Sequence, residues 1–536
     1  MTPAPHPNWW LDDEPFRRAV AARTGPEELA RAEPLLERMG ALAPAFFAPR
    51  ARVADRHRPA LERYDARGRR VDRVVYHPAY EEMTRAAYGF GLVRPADERG
   101  PLPQVAKFAL GYLFAQGEAG LYCPVCCTDG VVRVLERFAP ELAGRFVPRL
   151  TATDPDALLQ GAMFMTEKAG GSDLSRIETE ARPEDGAWRL YGEKWFCSNV
   201  DAGLILTIAR APEGLTVFLL PAEVDGEPNR YRIERLKDKL GVASMPTGEV
   251  VYDGALAYPV GERGKGVRVA AELFNLSRIY NAVASVGGAR RALREAMAST
   301  VERVAFGAPV ARQPLAMQDL ARLQVELEAN VALVLETARF LDRVDAGGTE
   351  PERRMLRILT PISKLITARF AVRAASEAME LLGGNGYIED FDTPRLLRDA
   401  QVLPIWEGST NVLVLDAVRS MAREHTLDAI LADARARIPA NGELAASAKQ
   451  VALALDRAEG EAPGVLGGDL ASARVLVERL ALAYRGALLL EAGERGTDRE
   501  RHVARLWVDG YVVPGMEAAA LDLSEGYEEL LGLDGD

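Results

Sequence analysis

One carboxylate in this chain stands where a tuned base would. Pro404 to Asn411 reads P-I-W-E-G-S-T-N, which sets Glu407 between bulky apolar residues and a Gly-Ser-Thr turn. Ile405 and Trp406 are expected to strip water from one side of the carboxylate, disfavouring its charged form and lifting its pKa toward working pH. Gly408 frees the backbone for close approach to a ligand. The octet also reads as a turn capping an ordinary helix, and alone it does not choose between the two.

Further segments shift the balance. Met163 to Asp173 reads M-F-M-T-E-K-A-G-G-S-D, and Gly192 to Asn199 follows with G-E-K-W-F-C-S-N. With the octet, these resemble three motifs of the acyl-CoA dehydrogenase family in the same chain order: its flavin-facing T-E-x-x-x-G-S-D loop, its K-x-W-I-T-N strand and its Y-E-G-T catalytic turn. Arg303 to Gly307, R-V-A-F-G, is similar to the family's R-x-x-F-G, and Leu382 to Tyr387, L-G-G-N-G-Y, to its G-G-N-G-F. Arg63 to Asp72, Tyr76 to Tyr80 and Arg235 to Gly241 resemble the branch of the alkylation-response protein AidB, as does a chain continuing over a hundred residues past Arg419.

The elements that must position these residues are legible as periods. Residues 1 to about 155 carry helical patterns such as Pro103 to Gln116. From Gly161 to about Pro259, β-branched and aromatic runs alternate with Asp-Gly turns at 185–186 and 225–226. Long amphipathic patterns return from Val267 and recur in the extension. The fold class expected is α+β, mainly helical: an N-terminal helical domain (1–155), a central β domain (156–262), a helical bundle with the glutamate (263–422) and an additional C-terminal helical domain (423–536).

The resemblance implies FAD and an α,β-desaturation of an acyl thioester: Glu407 removes the α proton while the β hydride leaves for flavin N5. It implies that the Glu407 backbone N–H polarises the thioester carbonyl, that Ser198 meets N5, and that Phe196 stands against the ring in place of a tryptophan. Met165, Thr166, Gly171 and Ser172 belong to the flavin-facing, cofactor-binding loop, and Ser172 together with Arg278 also contacts the thioester ligand. Arg303 and Phe306 reach the FAD of a neighbouring subunit, with Gln313 one residue early in its motif; Gly384, Ser409 and Asn411 line the cofactor's path. Trp406, where relatives carry tyrosine, narrows the pocket, toward short or branched acyl chains or toward no efficient CoA substrate. Two departures stand out: Glu380 replaces a glutamine at the FAD phosphate, and Ser277 occupies the place where some relatives carry the base. Electron-transfer flavoprotein as acceptor and a homotetramer follow from the same resemblance.

Composition bounds the alternatives. The 536 residues are 48% hydrophobic and 27% charged, with a formal net charge of -12, a balance that does not favour polyanion binding. No basic leader and no apolar run of membrane length is evident, so a cytoplasmic protein is expected. Cys123, Cys126 and Cys127 lack a second C-x-x-C for a zinc site, so no metal is expected, and the resemblance implies that they line the pocket. Two other readings compete: an AidB-like flavoprotein that shields DNA with little dehydrogenase activity, and a flavin oxidase or oxygenase. Against the first, residues 421–536 hold 12 Lys plus Arg and 21 Asp plus Glu, a balance of -9. Against the second, family oxygenases commonly lack the glutamate present here as Glu407.

Overall fold

The computed structural model describes residues 7–514 and 526–532. The chain forms two compact units, one built from Met39–Leu102 and Gly117–Tyr280, the other from Asn8–Arg38, Pro103–Gln116 and the chain from residue 281 onward.

The first unit pairs helices, among them Pro78–Gly89, Tyr122–Phe138 and Pro140–Leu150, with a seven-stranded sheet. Its strands are β1 (Gly161–Phe164), β2 (Glu180–Glu184), β3 (Ala187–Ser198), β4 (Leu204–Ala211), β5 (Gly214–Pro221), β6 (Tyr231–Leu236) and β7 (Thr247–Val260). The path runs β6-β7-β3-β2-β4-β1, and β5 pairs with both β7 and β4, closing β7-β3-β2-β4-β5 into a ring. Asp185 (φ 50°) and Gly186 (φ 77°) make the tight turn between β2 and β3, as the Asp-Gly pair requires. Alternate side chains fill the interior, with Phe164, Leu190, Cys197, Ile205, Phe218 and Val250 all buried.

Within the stretch read as dominated by helical patterns, an antiparallel hairpin joins Ala60–Tyr64 to Arg70–Val75. Its turn is organised by Asp65, whose Oδ1 accepts from the backbone N–H of Arg67 (2.8 Å) and Arg69 (2.9 Å). Charged residues on both faces hide it from a search for apolar alternation.

The second unit is a bundle of long helices, chiefly Pro314–Asp345, Glu350–Leu382 and Thr410–Glu424, with the latter part of Gly266–Glu302. Thr349 and Glu352 form a reciprocal capping box at the start of the second of these, and Gly383 (φ 65°) ends it. His425, at φ 53°, breaks Thr410–Glu424 from Thr426–Arg437. The extension's helices Ala445–Leu466, Ala473–Arg495 and Asp498–Trp507 pack into this same unit. Arg485, buried, donates to Asn330 Oδ1 (2.9 Å), and Arg499 pairs with Glu328 (2.6 Å). Among the described residues no helix is long and apolar enough to cross a membrane.

Candidate active site

On the bundle, residues 401–409 form the turn that carries the glutamate. Glu407 sits at φ 58° and Gly408 at φ 104°. A left-handed conformation at a non-glycine residue costs roughly 1–3 kcal/mol and persists only where the surroundings impose it. Two buried side chains do so. Lys364, with no exposed surface, donates from Nζ to the Gly408 carbonyl (2.6 Å), and Asn281 donates from Nδ2 to the Leu403 carbonyl (3.1 Å). Because the Gly408–Ser409 peptide is trans and its carbonyl is turned to Lys364, the Ser409 N–H points the opposite way. Neither Lys364 nor Asn281 was legible as functional, since each acts through backbone; the only trace is a lysine inside the apolar run Ile358 to Ile366.

The dehydration expected from the glutamate's neighbours is only partly present. Trp406 is half-buried, but Ile405 is 67% exposed, so Ile405 does not shield the carboxylate in this single chain. Trp406 Nε1 is buried and has no hydrogen-bond partner among the described residues. Ser409 and Asn411 are exposed at the start of Thr410–Glu424, whose cap lacks a side-chain hydrogen bond.

The R-V-A-F-G and G-G-N-G-Y segments come together. Arg303 Nη2 donates to the Leu381 carbonyl (2.7 Å), and a Cβ on Gly383 would lie 3.7 Å from Arg303 Nη1. Gln313 Nε2 returns to the Ala305 carbonyl (3.0 Å), bracing the hairpin Val304–Ala305/Ala308–Pro309. Phe306, at φ 53°, stands fully exposed at its tip, and Gly384 is exposed as well. Glu380 is exposed on the last turn of Glu350–Leu382.

On the barrel unit, Thr166 and β3 are joined by backbone: the Trp195 N–H donates to the Thr166 carbonyl (2.9 Å). Gly171 folds onto Thr166 so closely that a Cβ there would stand 2.6 Å from its Oγ1. Phe196 (54% exposed) and Ser198 share one face of β3 by strand alternation, and Ser198 Oγ lies 3.4 Å from Thr247 Oγ1. Met165 is buried, while Ser172 is exposed.

Two motif residues have a structural task. Lys194 Nζ, buried, donates to Glu167 Oε1 (2.7 Å) and to the Ile208 carbonyl (2.8 Å). Glu167 also accepts from Thr179 Oγ1 (2.6 Å) and the Glu178 N–H (2.7 Å). Burial works to raise the Glu167 carboxyl, but Lys194 and these donors outweigh it and hold it below the usual carboxylate range. Burial lowers Lys194 against the pull of Glu167. The pair ties the Thr166 loop to the barrel.

Arg278, half-buried, donates to Asn275 Oδ1 (3.2 Å). Ser277 is buried with its hydroxyl on the Phe274 carbonyl (3.0 Å), a structural bond. Cys126 and Cys127 are buried, Cys123 is half-buried, and all four cysteines are free. Among the described residues no three His, Cys, Asp or Glu side chains gather as a metal-binding group.

Comparison with known proteins bears on the whole chain. Residues 2–157 match the model of the adaptive response protein AidB N-terminal domain, 162–255 the acyl-CoA dehydrogenase middle domain and 264–422 the acyl-CoA dehydrogenase C-terminal domain. Acyl-CoA dehydrogenase family member 11 of Caenorhabditis elegans is 37% identical over 76% of this chain and 70% of its own. AidB of Escherichia coli is 36% identical over 72% and 73% respectively. The structure of C. elegans ACDH-11 in complex with C11-CoA superposes with a TM-score of 0.89 at 30% identity, covering 100% of this chain and 97% of that one. With motif order, domain succession and whole-length likeness in agreement, this chain belongs to the acyl-CoA dehydrogenase family, in its AidB-like branch.

Proposed function

We propose that this chain desaturates an acyl-CoA thioester between its α and β carbons, with Glu407 as the base. The observation that carries this reading is the clamped turn, which displays one carboxylate at a strained position held by Lys364 and Asn281. Bound FAD supplies the hydride acceptor, the part of the chemistry that no side chain performs.

The residues fit that group. Phe196 offers an exposed aromatic face with the Ser198 hydroxyl two residues on, and Thr166 sits beneath a glycine that a side chain would displace. Trp406 Nε1 is a buried donor without a partner among the described residues, and Ser409 and Asn411 open a helix whose first N–H groups suit an anion. Met165, Gly171, Gly384, Arg303, Phe306 and Gln313 complete the cofactor set by resemblance. Ser172, Arg278 and Trp406 are assigned to the thioester. Glu407 receives the α proton, and its backbone N–H donates to the thioester carbonyl as negative charge develops there. That relative ACDH-11 was solved with C11-CoA supports CoA as the handle.

The same reading includes a cytoplasmic homotetramer that passes electrons to an electron-transfer flavoprotein, and the division at residues 155, 262 and 422. Phe306 (100% exposed), Leu315 (81%) and Tyr387 (81%) support it, as apolar side chains of one unit that a second copy would cover. No observation favours DNA shielding: besides its acidic balance, the extension commits Arg435, Arg437, Arg499 and Arg505 to ion pairs within the chain. The test is to purify the protein, measure FAD per chain, and mix it anaerobically with acyl-CoA thioesters of increasing length. Bleaching of the flavin band supports the reading. A colourless chain that takes up no FAD, or an inert flavin alongside duplex DNA binding with a steep salt slope, defeats it.

A further inference from the structure

The second unit holds a partly open cavity of about 510 Å³ that shares no residue with the motifs above. Its walls come from the N-terminal helix Glu14–Ala21, from Pro314–Asp345 and from the extension's Ala473–Arg495. Phe16, Leu327, Val331 and Leu488 give it apolar surface. This volume lies within the range of small-molecule sites.

Every carboxylate of the lining is engaged by a donor, whereas some guanidinium N–H groups are not. Glu336 is taken by Arg23 (3.1 Å), Arg437 (2.6 Å) and Arg339; Glu491 by Arg437 and Arg495; Glu328 by Arg499 (2.6 Å). Asp13 is taken by Arg290 (2.9 Å) and Tyr112 (3.2 Å), and Glu500 by Arg18 and Thr497. The arginines are not saturated. Arg23, its side chain 8% exposed, uses Nε on Glu336 and Nη1 on the Ala19 carbonyl, and its Nη2 has no partner among the described residues. Arg290, 10% exposed, places Nη1 on Gln324, its Nε contact with Asp13 is not an aligned hydrogen bond, and its Nη2 is likewise unused. Desolvation weighs against the charge of Arg23, with Glu336 the chief counterweight. Six guanidiniums line the cavity against five carboxylates, a surplus of one positive charge.

We propose that this cavity is a second binding site, for an amphipathic monocarboxylate whose head group meets the spare guanidinium N–H groups and whose apolar body lies against Phe16, Leu327 and Val331. A dianion would exceed the charge surplus, and a cation would add to it.

The probe is decanoate, titrated by calorimetry into the FAD-loaded protein, with decan-1-ol and decyltrimethylammonium as matched neutral and cationic controls. One decanoate per chain is expected, binding at least tenfold tighter than either control. Arg23→Met, which leaves Glu336 its other two arginines, is expected to weaken decanoate at least tenfold. Ala332→Phe, which fills the cavity, is expected to abolish binding, while both variants keep their FAD. Glu407→Gln is expected to leave decanoate affinity unchanged. Absence of saturable binding, equal binding of decanol, full binding in Ala332→Phe, or loss of binding in Glu407→Gln would each overturn the proposal. None of these readouts depends on thioester turnover, so the failure of this site and the failure of the dehydrogenase reading are told apart.

Discussion

Glu407 holds a backbone conformation that its own side chain disfavours, and Lys364 and Asn281 help impose it through the carbonyl oxygens of Gly408 and Leu403. Lys364 makes the shorter of the two bonds, a buried amine on the Gly408 carbonyl. Replacing it with methionine keeps the volume but leaves the Gly408 carbonyl unpaired, a loss of about 1–3 kcal/mol. The larger effect is expected on chemistry: a base displaced by a fraction of an ångström lowers the rate of flavin bleaching by about 10–100-fold. Stopped-flow absorbance on Lys364→Met, with FAD content and far-UV circular dichroism as controls, checks this. Bleaching at the wild-type rate would remove Lys364 from any positioning role.

At the scale of elements, the barrel's contribution depends on one buried pair linking the loop after β1 to β3. Lys194→Met strands the Glu167 carboxylate among neutral donors and is expected to destabilise the protein by about 3–5 kcal/mol. Chemical denaturation followed by tryptophan fluorescence measures it. The pH dependence has a definite sign. Glu167 is depressed in the folded chain, so its contribution is present above the ordinary glutamate value and is lost as pH falls through the folded one. In Glu167→Gln, that acid-side loss should disappear. The glutamate and lysine were legible as motif letters, but not as partners, because pairing across 27 residues depends on barrel closure. Strands with alternating apolar residues and Asp-Gly turns were legible for the opposite reason: their pattern is local. The hairpin Ala60–Tyr64/Arg70–Val75 escaped because both its faces are charged, and Lys364 because a buried lysine in an apolar helix leaves no period of its own.

For the molecule as a whole, the extension is part of the bundle's own unit. Glu336 joins Arg23 of the N-terminal segment to Arg437 of the extension, and although burial works to raise it, the guanidiniums bring its carboxyl down to about 2. A shift of that size corresponds to stability on the order of 3 kcal/mol, fully present above the unfolded glutamate value and lost as pH falls toward 2. Glu336→Gln should therefore lower the melting temperature at pH 7 and converge on wild type near pH 2, as calorimetry across pH would record. Assembly is tested at the exposed hairpin tip: Phe306→Asp is expected to shift a tetramer to smaller species in light scattering, together with loss of FAD. A wild-type chain that is monomeric at micromolar concentration and still holds FAD would contradict the inter-subunit role. Phe306 was legible as a motif letter; that it stands fully exposed in a single chain emerged only from the fold.

The central claim, that Glu407 removes the α proton, is tested most directly by anaerobic stopped-flow bleaching of wild type and Glu407→Gln with the thioester that reacts fastest. The account predicts prompt bleaching in wild type, slowed by about 10²–10⁴-fold in a variant that still binds FAD and the thioester. Bleaching of the variant at the wild-type rate would contradict it.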